Sequence, residues 1–298
     1  MELRALHVFV EVVRQGGFTE AAKVVFATQS TVSKAVKQLE DELGVKLLDR
    51  LGSRSVITAA GEIVYRHAVK MLAERQDLIA ELDELQGLGR GVLRLGLPRV
   101  SSDILFAPLI AAYRARYPGV EVQVTEEGGE RRKERLHAGE VDLAGLLSPI
   151  PAEFEYKELR REPLVALVAK SSPLAERRTL RFSELASTPF ILFDLASALN
   201  PIIVDACQQN GFTPNVGARS SQISFILELV AGGMGVAFLP RAIFDHRPRE
   251  AVAALPVTEP DLEWRMTHAW RRGAYLSAAA RAWLDLAEEI GPTLLPRP

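Results

Sequence analysis

The sequence predicts an α/β protein in three parts: a small helical head, one long helix, and a larger half in which strands alternate with helices. Three observations predict it. Apolar residues recur at three- and four-residue steps near the start of the chain. A second such pattern runs from about 59 to 86 without a proline, its only glycine being Gly61 in the first turn. Beyond the cluster Gly87-Leu88-Gly89-Arg90-Gly91 the texture changes to short apolar runs between helix-period stretches. The length of 298 residues fits about two domains. With 48% apolar and 25% charged residues, wholesale disorder is excluded.

In the head, Leu3, Leu6, Phe9, Val10 and Val13 make a first helix that Gly16-Gly17 ends. A short helix follows, with Thr19 as its expected N-cap and Ala21, Ala22 and Val25 apolar. After a turn at Ala27-Thr28, the segment Gln29 to Leu39 carries Val32, Val36 and Leu39 on one narrow stripe, and Gly44 breaks the helix that ends near Leu43. Residues 45–58 read as a hairpin with its turn at Gly52-Ser53. Two helices, a third, then a hairpin is the order of a winged helix-turn-helix. Thr58 can cap the long helix, in which Val64, Ala68, Met71, Leu78, Leu82 and Leu85 form a heptad seam interrupted at Arg75. Such a seam wants a partner helix, so dimerisation is expected, with packing of the helix on its own domain as the competing reading. The expected domains are 1–58, a linker helix and hinge at 59–89, and 90–298.

In the last part, strands are expected at Val92 to Leu97, Val120 to Thr125, Val141 to Leu147, Leu164 to Ala169, Phe190 to Phe193 and Val236 to Leu239. Helices are expected at Asp103 to Tyr117, Arg131 to Ala138, Pro201 to Asn210, Ile223 to Ala231 and Ser277 to Ile290, with a helical turn at Phe182 to Leu185. That alternation predicts a mostly parallel sheet with covered faces and enough chain for two α/β lobes. The lobes are expected at about 90–161 with 267–298, and about 162–266.

The net charge of −2 argues against a nucleic-acid binder only if the chain is read as one piece. The segment Gln29 to Leu39 carries two lysines and no acid. At a recognition helix, Gln29 can read a base edge, most naturally adenine, with Thr31, Ser33 and Lys34 beside it. Thr28, Ser30, Lys37 and the helix N-terminus are suited to phosphates. Arg50 and Arg54 flank the hairpin turn and would reach the minor groove. Each cation alone reads as a solvated surface charge. Together on one face of one motif they predict contact with double-stranded DNA.

The runs Gly16-Gly17-Phe18-Thr19-Glu20-Ala21-Ala22, Thr28 through Arg50, and Thr58-Ala59-Ala60-Gly61 resemble the signature of LysR-type transcriptional regulators. The resemblance is nearly continuous there and extends more weakly past residue 91. The chain departs from the family at Ser30, where Pro is usual, at Leu48, where Phe is usual, and at Ser53, where a basic wing residue is common. The resemblance implies a homotetramer built as a dimer of dimers, binding to promoter DNA, contact with RNA polymerase, and a small-molecule co-inducer. It also implies a regulatory half similar to periplasmic binding proteins, with a ligand cleft between two lobes.

Ligands in α/β lobes sit at the carboxyl ends of strands, beside helix N-termini. That places Ser101 and Ser102 after the first strand, and Leu147 and Ser148 after the third, at the cleft. In the second lobe Phe193 would wall the ligand, and Ser197, Asn200, Ser220 and Ser221 would donate to it. The expected effector is a small organic anion, with Arg99 and Arg219 as candidate counter-ions. Plain N-capping by Ser102 is the competing reading.

Other features read as structure. Gly232-Gly233-Met234-Gly235 leaves a helix and enters a strand, the reverse of a phosphate loop, and is a helix C-cap and turn. Glu130-Arg131-Arg132-Lys133-Glu134-Arg135 reads as a solvated helix face. A single cysteine, Cys207, excludes an internal disulfide framework and a multi-cysteine zinc site. The five histidines have no ligand spacing, and no catalytic constellation, metal site or cofactor is expected. No apolar run approaches the ~18–20 residues that span a bilayer. The N-terminus, with acids at Glu2 and Glu11, lacks the pattern of a secretory signal, so a cytoplasmic protein is expected. A ligand-binding protein whose head merely packs, and an enzyme built on the α/β half, remain the alternatives. Salt-sensitive DNA binding separates the first from a regulator, and turnover of a cleft ligand would reveal the second.

Overall fold

The computed structural model describes residues 1–51, 54–84 and 91–294. They form two compact units, one built on Met1–Leu82 and including His137–Glu140, the other holding the remaining described residues. The expected wing turn at Gly52-Ser53, the hinge from Gly87 to Arg90 and the side chains of Arg50, Arg54 and Leu85 lie outside the described residues.

In the first unit, α1 (Leu3–Arg14), α2 (Phe18–Val24) and α3 (Gln29–Leu43) precede a hairpin of β1 (Leu48–Leu51) and β2 (Arg54–Ile57). Leu6, Phe9 and Val10 of α1 pack with Val32, Val36 and Leu39 of α3, as the apolar stripes require. Thr19 does not cap α2. The helix starts at Phe18, two residues earlier than a Thr19 cap requires, and Gly17 occupies the cap position. Gly44 closes α3 in the left-handed conformation, at φ 69°. The long helix α4 (Ala59–Glu84) begins on the Thr58 cap: the Thr58 hydroxyl accepts from Gly61 N at 2.9 Å and donates to Lys46 O at 2.7 Å. A Cβ on Gly61 would penetrate the Leu47 carbonyl oxygen, so the sequence needs glycine there for close approach of two backbones. The seam on α4 divides. Ala68 is buried and Val64 half-buried against the head, whereas Met71, Leu78 and Leu82 are exposed.

The second unit opens with β3 (Gly91–Pro98), a π-helical turn (Ser102–Phe106) and α5 (Ala107–Arg116). The single helix expected from Asp103 to Tyr117 is thus broken near Pro108, which has no N–H for the regular helical ladder. Then follow β4 (Val120–Glu127), α6 (Gly129–His137), β5 (Leu143–Leu147) and β6 (Phe154–Ala169). After β7 (Leu180–Arg181) and a 3₁₀ turn at Phe182–Leu185 come β8 (Phe190–Phe193), α7 (Leu199–Gln209), β9 (Val216–Ser220) and α8 (Ile223–Ala231). The chain then runs through β10 (Ala237–Pro240), α9 (Arg241–His246), β11 (Val252–Thr258), β12 (Glu263–Arg271) and α10 (Ala278–Leu294). Gly232 caps α8 and Gly233, at φ 76°, turns the chain toward β10.

The sheet is mixed, not mostly parallel. β3 pairs parallel with β4 and β5, but β12 runs antiparallel to β5 and β6, and β10 and β11 run antiparallel to β6. The cause is β6. Its first ten residues pair with β12 in one lobe, and its last six with β10 and β11 in the other. β6 and β12 together cross between the lobes. The sequence reveals only Leu164 to Ala169 as strand because the earlier part, Lys157 to Glu162, is mostly charged and lies along an edge. The lobes have separate aromatic centres. Tyr113 meets the edge of Trp283 with ring centroids 5.4 Å apart, and donates to Ala279 O, fixing α10 on α5. Phe182, Phe190 and Phe238 stack in the other lobe, with centroids 5.4–6.4 Å apart.

Candidate functional site

The head presents a polar face on α3. Burial of Val32, Val36 and Leu39 turns Gln29, Ser30, Thr31, Lys34 and Lys37 outward, and all five are exposed, while Ser33 is half-buried. Thr28 caps α3, its Oγ1 accepting from Thr31 N at 3.2 Å and lying 2.9 Å from Ser30 Oγ and 2.8 Å from Thr31 Oγ1. The helix N-terminus thus carries a cluster of hydroxyls. Arg50 and Arg54 fall on the two strands of the hairpin. The hairpin is tied to α3 by Glu40, which sequence reasoning did not single out. Its carboxylate accepts from Leu47 N at 2.8 Å, Leu48 N at 3.3 Å and Lys46 Nζ at 2.8 Å. Burial works to raise the Glu40 pKa, but these bonds outweigh it and hold the carboxyl below its ordinary value.

The second unit holds a cleft with a cavity of about 40 Å³. One lobe supplies Arg99 after β3, Gly128, Gly129 and Arg132 at the start of α6, and Leu147 at the end of β5. The other supplies Phe193, Asp194, Ser197 and Ser221, and the crossing strand β12 supplies Trp264 and Met266. The lobes touch at the rim: Gly129 N donates to Ala196 O at 3.0 Å, and Arg99 Nη1 lies 3.5 Å from Asp194 Oδ2. A Cβ on Gly128 would come within 2.5 Å of Ala196 Cβ, so glycine is what lets them close.

Of the residues expected here, Arg99, Leu147, Phe193, Ser197 and Ser221 line the cavity and the others do not. Ser101 is fully buried at φ 81° with its hydroxyl unpartnered among the described residues. Ser102 donates to Glu126. Ser148 N donates to Arg265 O, ahead of a cis peptide to Pro149. Asn200 is buried and pins the end of β8, accepting from Phe193 N and donating to Phe193 O and Asp194 O. Ser220 Oγ accepts from Gln222 N, and Arg219 donates to Phe193 O.

The charged run on α6 is not wholly a solvated face. Arg132 is 2% exposed and lines the cavity. Its Nη1 donates to Leu97 O and Glu127 O, while its Nε has no partner among the described residues. The neighbouring carboxylate of Glu127 is taken by Arg135, at 2.8 and 2.9 Å. Burial pushes the Arg132 pKa down to about 10, partly countered by Glu127, so the guanidinium stays charged at neutral pH. The sequence did carry a signal. Gly129, Arg132 and Leu136 share one helical face, and all three are buried.

A family model for the bacterial regulatory helix-turn-helix protein of the lysR family matches residues 3–62, and one for the LysR substrate binding domain matches residues 86–291. The chain belongs to the LysR family. An HTH-type transcriptional regulator of Bacillus subtilis (strain 168), YwbI, is similar at 33% identity, over 96% of this chain and 95% of its own. The transcriptional dual regulator GltC of the same organism is 32% identical over 88% of each chain. Among solved structures, the LysR-family regulator HinK of Pseudomonas aeruginosa superimposes with a TM-score of 0.60 at 26% identity, over 97% of this chain and 98% of that one. The head therefore carries the DNA-binding helix-turn-helix of a LysR-family transcriptional regulator, and the second unit carries its two-lobed effector-binding domain. Among the described residues no helix is long and apolar enough to cross a membrane, and no group of three His, Cys, Asp or Glu residues could hold a metal ion.

Proposed function

We propose that this regulator changes its action at a promoter when a small organic anion enters the cleft, and that Arg132 is the counter-ion. A buried guanidinium without a carboxylate partner is costly, and the observation that carries the reading is that Arg132 faces a cavity with its Nε unpaired. A carboxylate is the matching planar acceptor. The cavity as it stands has room for only a few water molecules. An anion larger than that would part the rim at Gly129 and Ala196, which would couple occupancy to the angle between lobes.

The domains on this reading span 1–58, 59–89 and 90–298, with Thr28, Gln29, Lys34, Arg50 and Arg54 among the DNA contacts. The exposed Met71, Leu78 and Leu82 on α4 support a homodimer. The same reading makes the protein cytoplasmic, with dimers paired into a tetramer that meets RNA polymerase on the promoter. The test is thermal unfolding of wild type and Arg132→Met in a panel of small monocarboxylates and dicarboxylates, with the matching amides as controls. At least one acid should raise the wild-type midpoint while its amide does not, and Arg132→Met should lose that shift. An acid that stabilises both proteins equally removes Arg132 from the site.

A further inference from the structure

Phe26 lies in the turn between α2 and α3 and is 97% exposed. Its backbone is left-handed, at φ 51°. The turn is held from both sides: Val25 N donates to Ala21 O, and Ala27 N to Ala22 O, each at 2.9 Å. The backbone therefore demands a conformation that glycine or asparagine adopts cheaply and a bulky aromatic residue does not. A phenylalanine usually offsets such strain by packing, and this ring packs on nothing in its own unit. Neither the turn nor the core accounts for it. Phe26 is also continuous with the DNA-binding face, standing two residues before the Thr28 cap and the exposed run Gln29 to Thr31.

We propose that Phe26 is an apolar DNA contact, its ring covering either a thymine 5-methyl group at the edge of the half-site or the hydrophobic face of a deoxyribose. The first turns of the recognition helix, Gln29 to Lys37, supply hydrogen-bond donors and acceptors but no large apolar side chain on their exposed face. Phe26 adds the van der Waals reading that a thymine methyl invites in the major groove. Binding of this kind changes affinity without displacing counterions, unlike the phosphate contact expected of Lys37.

The test uses full-length protein and a duplex operator selected by the wild type from random sequences. Wild type, Phe26→Gly and Phe26→Leu are compared by fluorescence anisotropy, with thermal midpoint and oligomeric state measured alongside. Phe26→Gly should weaken operator binding about three- to tenfold, the change expected for one or two buried methyl-sized groups. Its salt slope should be unchanged and its thermal midpoint equal or higher, because glycine relieves the positive φ. Phe26→Leu should retain part of the affinity. An operator with uracil replacing thymine separates the two sources. If it weakens wild type but not Phe26→Gly, the ring reads the methyl group, and if it affects neither, the ring covers the sugar. Operator binding by Phe26→Gly within twofold of wild type overturns the proposal. So does a fall in its thermal midpoint, which would make Phe26 a packing residue, or loss of oligomer with DNA affinity retained, which would make it a protein contact.

Discussion

The two sites of this regulator are opposites in construction. The polar face of the head lies within one helix and the hairpin after it, and Gln29, Ser30, Thr31, Lys34 and Lys37 on α3 stand in solvent. The effector cleft is concave and draws on segments scattered from Arg99 to Met266, with a charge buried in its wall. A surface of the first kind can lose a side chain without disturbing the fold. A cavity of the second kind belongs to the packing, so change there reaches stability and function together.

The largest effect that separates them is expected at Gly128. Gly128→Val puts a branched side chain against Ala196 at the rim and should cost the second unit about 1–3 kcal/mol, as overpacking does, while blunting any effector response. Calorimetry that found the variant as stable as wild type, with an intact response, would mean the lobes are not held at this point. Next is Lys34→Ala with Lys37→Ala on α3. Operator affinity should fall, and the slope of log affinity against log salt should become shallower by up to about two, or about one per phosphate that a lysine neutralises. Thermal stability should move by less than about 0.5 kcal/mol. An unchanged slope with both lysines replaced would move the phosphate contacts off α3.

The helical head was legible in sequence because its information is local. Val32, Val36 and Leu39 fix which face of α3 is inside, and Lys34 and Lys37 fall on the other by periodicity alone. The wing's tether was not legible, because Glu40 reads as one more acid on a polar helix end until the chain folds back to bring Leu47 and Leu48 to it. In the second unit the alternation of strands and helices was visible, but the antiparallel crossing was not. The charges of Lys157 to Glu162 mask a strand whose one side is unpaired at an edge. Serines after strands were sound guides to the neighbourhood of the cleft and poor guides to its lining. Ser101 and Ser102 turn away into the packing, while Arg132, hidden among five charged neighbours, turns in.

Acid should sharpen the contrast at smaller amplitude. His268 on β12 is fully enclosed, with Trp283 Nε1 donating to its Nδ1 at 3.5 Å, and burial pushes its pKa down to about 3. The unfolded chain protonates this histidine near its ordinary value of 6.5 and the folded chain does not. The second unit therefore loses stability as pH falls from about 6.5 toward 3. Glu40 acts lower on the scale. Its pKa is depressed, so its contribution is complete above the unfolded value of 4.5 and is lost as pH falls through the folded one. Thermal unfolding between pH 7 and 5 should shift the transition of the second unit before that of the head. His268→Gln should flatten the dependence in that window, and Glu40→Gln should flatten it only below about pH 4.5. A head that melts first at pH 5 would reverse the assignment.

The junction at Gly61 gives the head a mechanical character. The first turn of α4 is pressed against the Leu47 carbonyl, Thr58 is bonded to both Lys46 and Gly61, and Glu40 clamps the same strand to α3. Lever, wing and recognition helix are in effect riveted at one point, with no slack between them. A twist applied along α4 is then carried into the head as a tilt of the whole, because no joint within it is left to absorb the rotation.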